Sequence, residues 1–298
     1  MSHVAFLGVG AMGLGMAANL VKAGQRVVAF DLSGEALARA QARGCEAANS
    51  AAEAVVGADV VVTMLQTAAQ VRQVYAQTVI PNAASGALVV DCSTIDVETA
   101  RAVAADAVAA GLRAADAPVS GGVGGAEGGT LTFMVGCDET LFAVLQQRLS
   151  PMAKTVVHAG GAGAGQAAKI CNNMVLGVSM LGVCEAFALA EKLGLAPERF
   201  FEIASQSSGQ CWSLTSYCPW PGPVPAAPSN RGYEGGFLTS LMLKDLKLAQ
   251  EAAASAGAAT PLGAQAEALY ALFERQGFGG KDFSAVLQML RGELDALA

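Results

Sequence analysis

Histidine is almost absent from this 298-residue chain, which carries only His3 and His158. Proton transfer near neutral pH therefore has to rest on another side chain, and neither histidine falls within a recognisable motif. Charge is scarce too: charged residues make up 14% against 53% hydrophobic, a balance that excludes a disordered chain. The net charge of −7, without any basic run or aromatic-basic patch, argues against a nucleic-acid partner. Seven cysteines are odd in number, scattered and lack a C-x-x-C pair. Neither a disulfide framework nor a metal site is expected from them, and a reducing cytoplasm is the expected setting. The longest apolar run, 174–184, is short for a membrane span and meets Glu185, so it reads as a helix buried in a core or at a subunit contact. The N-terminal apolar stretch has no basic region before it and reads as strand, turn and helix rather than as a signal peptide.

What the chain does have is a β-α alternation through its first half. Short β-branched runs at 3–7, 26–30, 60–64, 88–91 and 113–117 read as buried strands, with further candidates at 131–135 and 155–158. Helical patterns separate them, so a parallel sheet covered on both faces is expected. After Gly165 the strands stop. The segments 166–193, 196–205, 239–256, 263–276 and 283–291 read as helices, interrupted at 218–228 by five prolines that demand a loop. The expected fold is α/β: a Rossmann dinucleotide-binding domain over 1–162, then an all-α domain over 163–298. The Ala-rich helical half suggests burial beyond a monomer's need, hence a homodimer or homotetramer.

The stretch Gly8-Val9-Gly10-Ala11-Met12-Gly13 directly follows the first strand and opens the first helix. Gly8 suits the tight turn, Gly10 the approach of a pyrophosphate to the backbone, and Gly13 close helix–strand packing. The free N–H groups and positive dipole end of that helix then favour the phosphates. Asp31 ends the second strand where a ribose-binding carboxylate belongs, and no arginine stands at 32–34 to hold a 2′-phosphate, which favours NAD over NADP. Met64-Leu65 and Thr94 follow later strands and are expected to border the cofactor. Thr94 also suits an N-cap before the helix at 97.

Asp116-Ala-Pro-Val-Ser120-Gly121-Gly122 follows another strand, with Gly124 and Gly125 behind it. Exposed N–H groups of successive glycines form concavities suited to a carboxylate, to which Ser120 adds a hydroxyl; a flexible loop is the plainer alternative. Lys169 and Asn173, in Gly163-Ala-Gly165-Gln-Ala-Ala-Lys169-Ile-Cys-Asn172-Asn173, lie one helical turn apart and share a face. A lysine on an apolar helix either snorkels to solvent or loses hydration, which lowers its pKa towards the range of a useful base.

Taken in this order, the segments 8–13, 116–122 and 165–173 resemble the β-hydroxyacid dehydrogenase family, and the resemblance covers essentially the whole chain. It extends through Cys211-Trp212-Ser-Leu-Thr-Ser-Tyr217-Cys-Pro-Trp220-Pro-Gly, Gly235-Gly236-Phe237 and Leu243-Lys244-Asp245-Leu246, where the chain looks most like members that oxidise 3-hydroxyisobutyrate in valine breakdown. The resemblance implies NAD-linked hydride transfer with Lys169 as general acid/base and Asn173 orienting the substrate. It implies that Ser120, Gly121 and Gly122 hold the substrate carboxylate and that Lys244, beside Asp245, closes on cofactor and substrate. Trp212, Tyr217 and Phe237 could wall the substrate, although each is also a plausible core aromatic. Relatives acting on 6-phosphogluconate carry a glutamate seven residues after the lysine; Leu176 stands there, which argues against decarboxylation. Imine reductases of similar architecture replace the lysine, which is present. L-Serine or another short 3-hydroxyacid is the alternative substrate, and a catalytically silent NAD-binding scaffold the non-enzyme alternative.

Overall fold

A computed structural model describes residues 3–297, which form two compact units, the first ending at Lys169 and the second beginning at Ile170. Among the described residues the first unit holds a nine-stranded sheet: β1 His3–Leu7, β2 Val27–Phe30, β3 Glu46–Ala47, β4 Ala58–Thr63, β5 Leu88–Asp91, β6 Arg113–Asp116, β7 Val119–Ser120, β8 Leu131–Gly136 and β9 Ala153–Gly160. The order is β3-β2-β1-β4-β5-β6-β8-β7, with β9 paired to β8. The first six strands run parallel, β8 is antiparallel to β6 and β7, and β9 is parallel to β8. Because both faces are covered, successive residues of one strand enter different cores. Val4 and Phe6 pack with Val62, Val90 and Phe133 on one face, while Ala5 and Leu7 pack with Val61, Val89 and Ile95 on the other. The strand order reverses between β1 and β4, so a crevice opens beyond their carboxyl ends, where dinucleotides bind in sheets of this order.

Two strands go beyond the expected set. Glu46–Ala47 and Val119–Ser120 span two residues each, too few to carry a period of two. The second matters for function, because it turns the expected Ser120 loop into a strand end followed at once by the helix Gly122–Gly128. Gly124 and Gly125 therefore lie within a helix and are not part of an open nest. That helix lies close against the first one: a Cβ on Gly15, in the helix Gly13–Lys22, would stand 2.7 Å from the backbone of Ala126.

The helix Ala164–Lys192 begins in the first unit and supplies the core of the second. Its start is held by Asp116 at the end of β6, whose Oδ1 accepts the Gly163 N–H at 2.6 Å and whose Oδ2 accepts the Gln166 N–H at 2.8 Å. Two of the four first-turn donors that a helix leaves unpaired are thus satisfied by one carboxylate, which also faces the positive end of the dipole. Glycines make the approach possible, since a Cβ on Gly165 would lie 2.3 Å from the Met134 carbonyl and one on Gly136 2.3 Å from Asp116 Oδ1.

At 29 residues this helix is long and apolar enough, by length and composition, to cross a membrane. An uninterrupted run of 11 residues concealed that length, because the helix continues through Lys169 and Glu185 on either side. Its apolar residues serve protein packing instead: Met180, Cys184 and Phe187 are fully buried among Leu214, Met242, Leu246, Tyr270 and Phe283 of the second unit. The helix Thr239–Ala256 matches the expected span, and a Cβ on Gly177 would crowd Met242 and Leu246 at 3.2 Å. The segment expected as one helix over 263–276 is Pro261–Phe273 followed by a wider turn at Glu274–Phe278, opened by Gly277 at a φ of 96°. The proline-rich loop is fastened from within: Ser229 Oγ donates to the Cys218 carbonyl at 2.8 Å and Tyr233 OH to the Pro219 carbonyl at 2.8 Å.

Burial pushes the Asp116 carboxyl up to about 6, although the Gly163 and Gln166 N–H groups pull it down. A folded value above the unfolded 3.8 means that ionised Asp116 costs native stability, with the cost growing as pH rises from about 4 to about 6 and constant above. Asp116→Asn removes this titration. The stability of the natural chain relative to that variant is therefore expected to fall by about 2–3 kcal/mol between pH ~4 and pH ~7 in urea titrations. An offset independent of pH would contradict the assignment.

Candidate active site

At the end of β1 the glycine loop divides into closed and open positions. Gly8 has a φ of 96°, and a Cβ there would lie 2.3 Å from the Met64 carbonyl; one on Gly13 would lie 2.0 Å from the Gly8 carbonyl. Gly10, by contrast, has nothing within 4 Å of its would-be Cβ, leaving room for a ligand against the backbone. Ala11 is exposed and Met12 half-buried at the mouth of the helix Gly13–Lys22. Asp31 does more than the sequence suggested. Its Oδ2 accepts the Val9 N–H at 2.9 Å and its Oδ1 the Ser33 N–H at 2.8 Å, so the carboxylate also shapes the glycine loop. A closed turn, an open Gly10 and an acid at the second strand end together fit the phosphates and ribose of a dinucleotide.

Met64-Leu65 and Thr94 follow β4 and β5, and the two loops are joined beneath. The Leu65 N–H donates to Ser93 Oγ at 2.8 Å, Ser93 Oγ donates to Asp91 Oδ1 at 2.6 Å, and Thr63 Oγ1 donates to the same oxygen at 2.7 Å. Thr94 is not the N-cap of the next helix. Asp96 is, accepting the Thr99 N–H at 2.7 Å, which leaves the half-buried Thr94 on the loop. Ser120 is half-buried at the end of β7, and Gly121 with a φ of 134° and Gly122 with 61° turn the chain out of the strand.

The helix Ala164–Lys192 carries a buried polar stripe on an otherwise apolar element. Gln166, Lys169 and Asn173 are 0%, 7% and 2% exposed, at spacings of three and four that put them on one face. Lys169 does not snorkel to solvent. Leu176 packs against the second unit's core, as an apolar residue should. Within the second unit Asn173 Nδ2 donates to Asp245 Oδ2, and Asn172 Nδ2 donates to Asn173 Oδ1 at 3.0 Å, which fixes the amide's orientation. Asp245 is buried, and Lys244 Nζ lies 3.9 Å from its Oδ1.

The aromatic candidates also group in the second unit. Trp212, half exposed, stacks on Tyr217 with centroids 4.8 Å apart, and Phe237 packs edge-on to Phe283 at 5.8 Å. The residue that unites them went unnoticed in the sequence. Asp282 accepts from Tyr217 OH at 2.7 Å and from the Phe237 N–H at 2.8 Å, while its other oxygen accepts from the Ser284 N–H and hydroxyl. The motif Asp282-Phe-Ser284, an acid two residues before a serine at a helix start, was the available signal. Burial, then the Asp282 charge, pushes the Tyr217 phenol far above its ordinary range, so Tyr217 is a neutral hydroxyl rather than a proton-transfer group.

Both histidines are structural. His3 Nε2 lies 2.8 Å from the Ala54 carbonyl, and His158 Nε2 lies 3.0 Å from the Cys137 carbonyl with its ring stacked on Phe142. Among the described residues no three His, Cys, Asp or Glu side chains cluster as a metal site would require.

Residues 3–161 match the family described as the NAD binding domain of 6-phosphogluconate dehydrogenase, and residues 163–290 match the one described as the NAD-binding domain of NADP-dependent 3-hydroxyisobutyrate dehydrogenase. A 3-hydroxyisobutyrate dehydrogenase of Pseudomonas aeruginosa is 48% identical, over 98% of this chain and all of that one. An NAD-dependent L-serine dehydrogenase of the same organism is 46% identical, over 97% of this chain and 98% of that one. A solved structure, Mycobacterium tuberculosis 3-hydroxyisobutyrate dehydrogenase with L-serine, has a TM-score of 0.94 at 48% identity, covering 98% of this chain and 99% of that one. With a dinucleotide cradle after β1 and a buried lysine–asparagine stripe after β9, the chain belongs to the 3-hydroxyisobutyrate dehydrogenase family of nicotinamide-dependent hydroxyacid oxidoreductases.

Proposed function

We propose that this chain oxidises 3-hydroxyisobutyrate to methylmalonate semialdehyde with NAD, as in valine breakdown. The buried Lys169 carries the reading, because alcohol oxidation needs a base at the hydroxyl and both histidines are committed to backbone carbonyls. In its neutral form Lys169 takes the hydroxyl proton, and its ammonium returns the proton in the reverse direction. The Asn173 amide, oriented by Asp245 and Asn172, has a second N–H with which to hold the reacting oxygen. Ser120 and the Gly121-Gly122 backbone bind the substrate carboxylate, with Lys244 adding positive charge. Trp212, Tyr217 and Phe237 exclude water. When bound, the nicotinamide cofactor accepts the hydride; Gly8, Gly10, Ala11, Met12, Gly13, Asp31, Met64, Leu65 and Thr94 are the residues that would hold it, with Lys244.

Asp31 supports NAD over NADP. Its carboxylate would repel a 2′-phosphate, and the nearest arginines along the chain are engaged, Arg26 with Glu46 at 2.6 Å and Arg39 with Glu35 at 3.1 Å. L-Serine is the second reading, favoured by the names of two of the relatives. L-Serine carries an ammonium where 3-hydroxyisobutyrate carries a methyl, whereas 3-hydroxypropionate only lacks that methyl, a difference worth about 1–3 kcal/mol in an apolar site. The seven free cysteines support a reducing compartment such as the cytoplasm. The second unit exposes Val175, Leu189, Leu193 and Leu262 by 59–75%, which supports a homodimer or homotetramer.

Three measurements test these statements. Assayed on 3-hydroxyisobutyrate, L-serine and 3-hydroxypropionate with each cofactor, the enzyme is expected to give its highest kcat/KM with 3-hydroxyisobutyrate and NAD, and at least about tenfold less with NADP. A higher value on serine, or equal use of both cofactors, reverses the respective assignment. Lys169→Ala is expected to keep NAD binding while losing about 10²–10⁴-fold in kcat; near-full turnover would remove the lysine from the chemistry. Light scattering of the purified chain is expected to give twice or four times the 30.0 kDa monomer mass. A monomer would refute self-association.

A further inference from the structure

A network of direct hydrogen bonds in the first unit links the loops after β4 and β5 to the turn that carries Lys169, and it runs through a side chain that the reaction itself does not require. Gln166 is wholly buried, yet every polar group it has is engaged. Its Nε2 donates to the Ser93 carbonyl at 2.7 Å, its Oε1 accepts the Ile95 N–H at 3.1 Å, and its own N–H is held by Asp116 at 2.8 Å. The amide thus grips the backbone on both sides of Thr94. Ser93 in turn holds the Leu65 N–H through its hydroxyl. At the other end, Gln166 and Lys169 are three residues apart on one helix face.

We propose that Gln166 is a positioning residue for hydride transfer: its carboxamide fixes the Ser93–Ile95 backbone, and Thr94 with it, at one spacing from the helical turn bearing Lys169. The inference rests on Lys169 being the base. A carboxamide suits this task because it donates through one end and accepts through the other, as the Ser93 carbonyl and Ile95 N–H demand. An ionised carboxylate can only accept, and an alkyl group can do neither. Proximity is worth much to such a reaction, and a misplacement of about 1 Å can cost about 10²-fold in rate. A residue that only filled the core would lower stability when changed, without altering the rate of the folded protein.

The test uses full-length Gln166→Leu, Gln166→Glu and Lys169→Ala beside the natural chain. Each is assayed for NAD affinity by tryptophan fluorescence and for single-turnover NADH formation from 3-hydroxyisobutyrate. Gln166→Leu is expected to slow single turnover about 10–100-fold while NAD affinity changes less than about threefold. Gln166→Glu places a carboxyl against the Ser93 carbonyl and the Ile95 N–H, with Asp116 on the backbone N–H of the same residue. When that carboxyl is protonated it can both donate and accept, so the variant's rate relative to the natural chain is expected to rise as pH falls. Single turnover within about threefold of the natural rate in folded Gln166→Leu, parallel loss of NAD affinity, or a pH-independent Gln166→Glu ratio would each overturn the proposal. If Gln166→Leu does not fold, the Gln166→Glu ratio decides alone. Full turnover by Lys169→Ala would sink the base assignment and the positioning role with it. Loss in Lys169→Ala beside an unaffected Gln166→Leu would sink the positioning role only.

Discussion

A carboxylate buried against the first turn of a helix is the contact on which the rest of this molecule depends. Asp116 satisfies two N–H groups that helical geometry leaves unpaired, and glycines at 136 and 165 clear the space that lets it reach them. Burying an acid costs hydration, as its raised pKa reports. The return is positional: the phase of the helix is set at its origin, so the residues that follow are assigned to particular faces. The stripe Gln166, Lys169 and Asn173 is one outcome and the apolar flank of Met180, Cys184 and Phe187 another.

The two units solve the problem of placing polar groups in different ways. In the first, backbone does much of the work, through glycines that close or open a turn and through N–H groups held by Asp31, Ser93 and Asp116. In the second, buried acids gather side chains: Asp245 holds Asn173, and Asp282 holds Tyr217 and the backbone of Phe237. Both acids are nearly excluded from solvent, and both oxygens of Asp282 accept hydrogen bonds, as a buried carboxylate requires.

Much of this was legible along the chain because periodicity and glycine spacing are local signals. The alternation of β-branched runs and helical segments located seven of the strands, and a glycine loop between strand and helix located the cofactor cradle. Two further roles come from partners far away in sequence. Asp282 lies 65 residues from Tyr217, and Gln166 lies 73 from Ser93. The sequence around Gln166 reads only as a glycine-flanked helix start, and nothing local distinguishes its amide from a solvated one. Asp96, by contrast, carries a local capping signal that Thr94 shares, because both precede the same helix and only geometry separates them. The two-residue strand at Val119–Ser120 is the remaining kind of omission, an element too short to have a pattern.

A lysine has one titrating nitrogen and no tautomer, so its aim is inherited entirely from the backbone beneath it. On a helix each added residue turns that aim by roughly 100°. Inserting or deleting a single residue between Asp116's anchor at Gly163 and Lys169 would therefore turn the amine, and Asn173 with it, by that angle relative to the anchor, whatever residue was chosen. The proline-rich stretch at 218–228, fastened at intervals by Ser229, Asn230 and Tyr233, is under no such rule of phase. The six residues before the lysine are fixed in number by that phase, and Gly165 and Gln166 among them in kind as well, the first by the Met134 carbonyl and the second by Ser93 and Ile95.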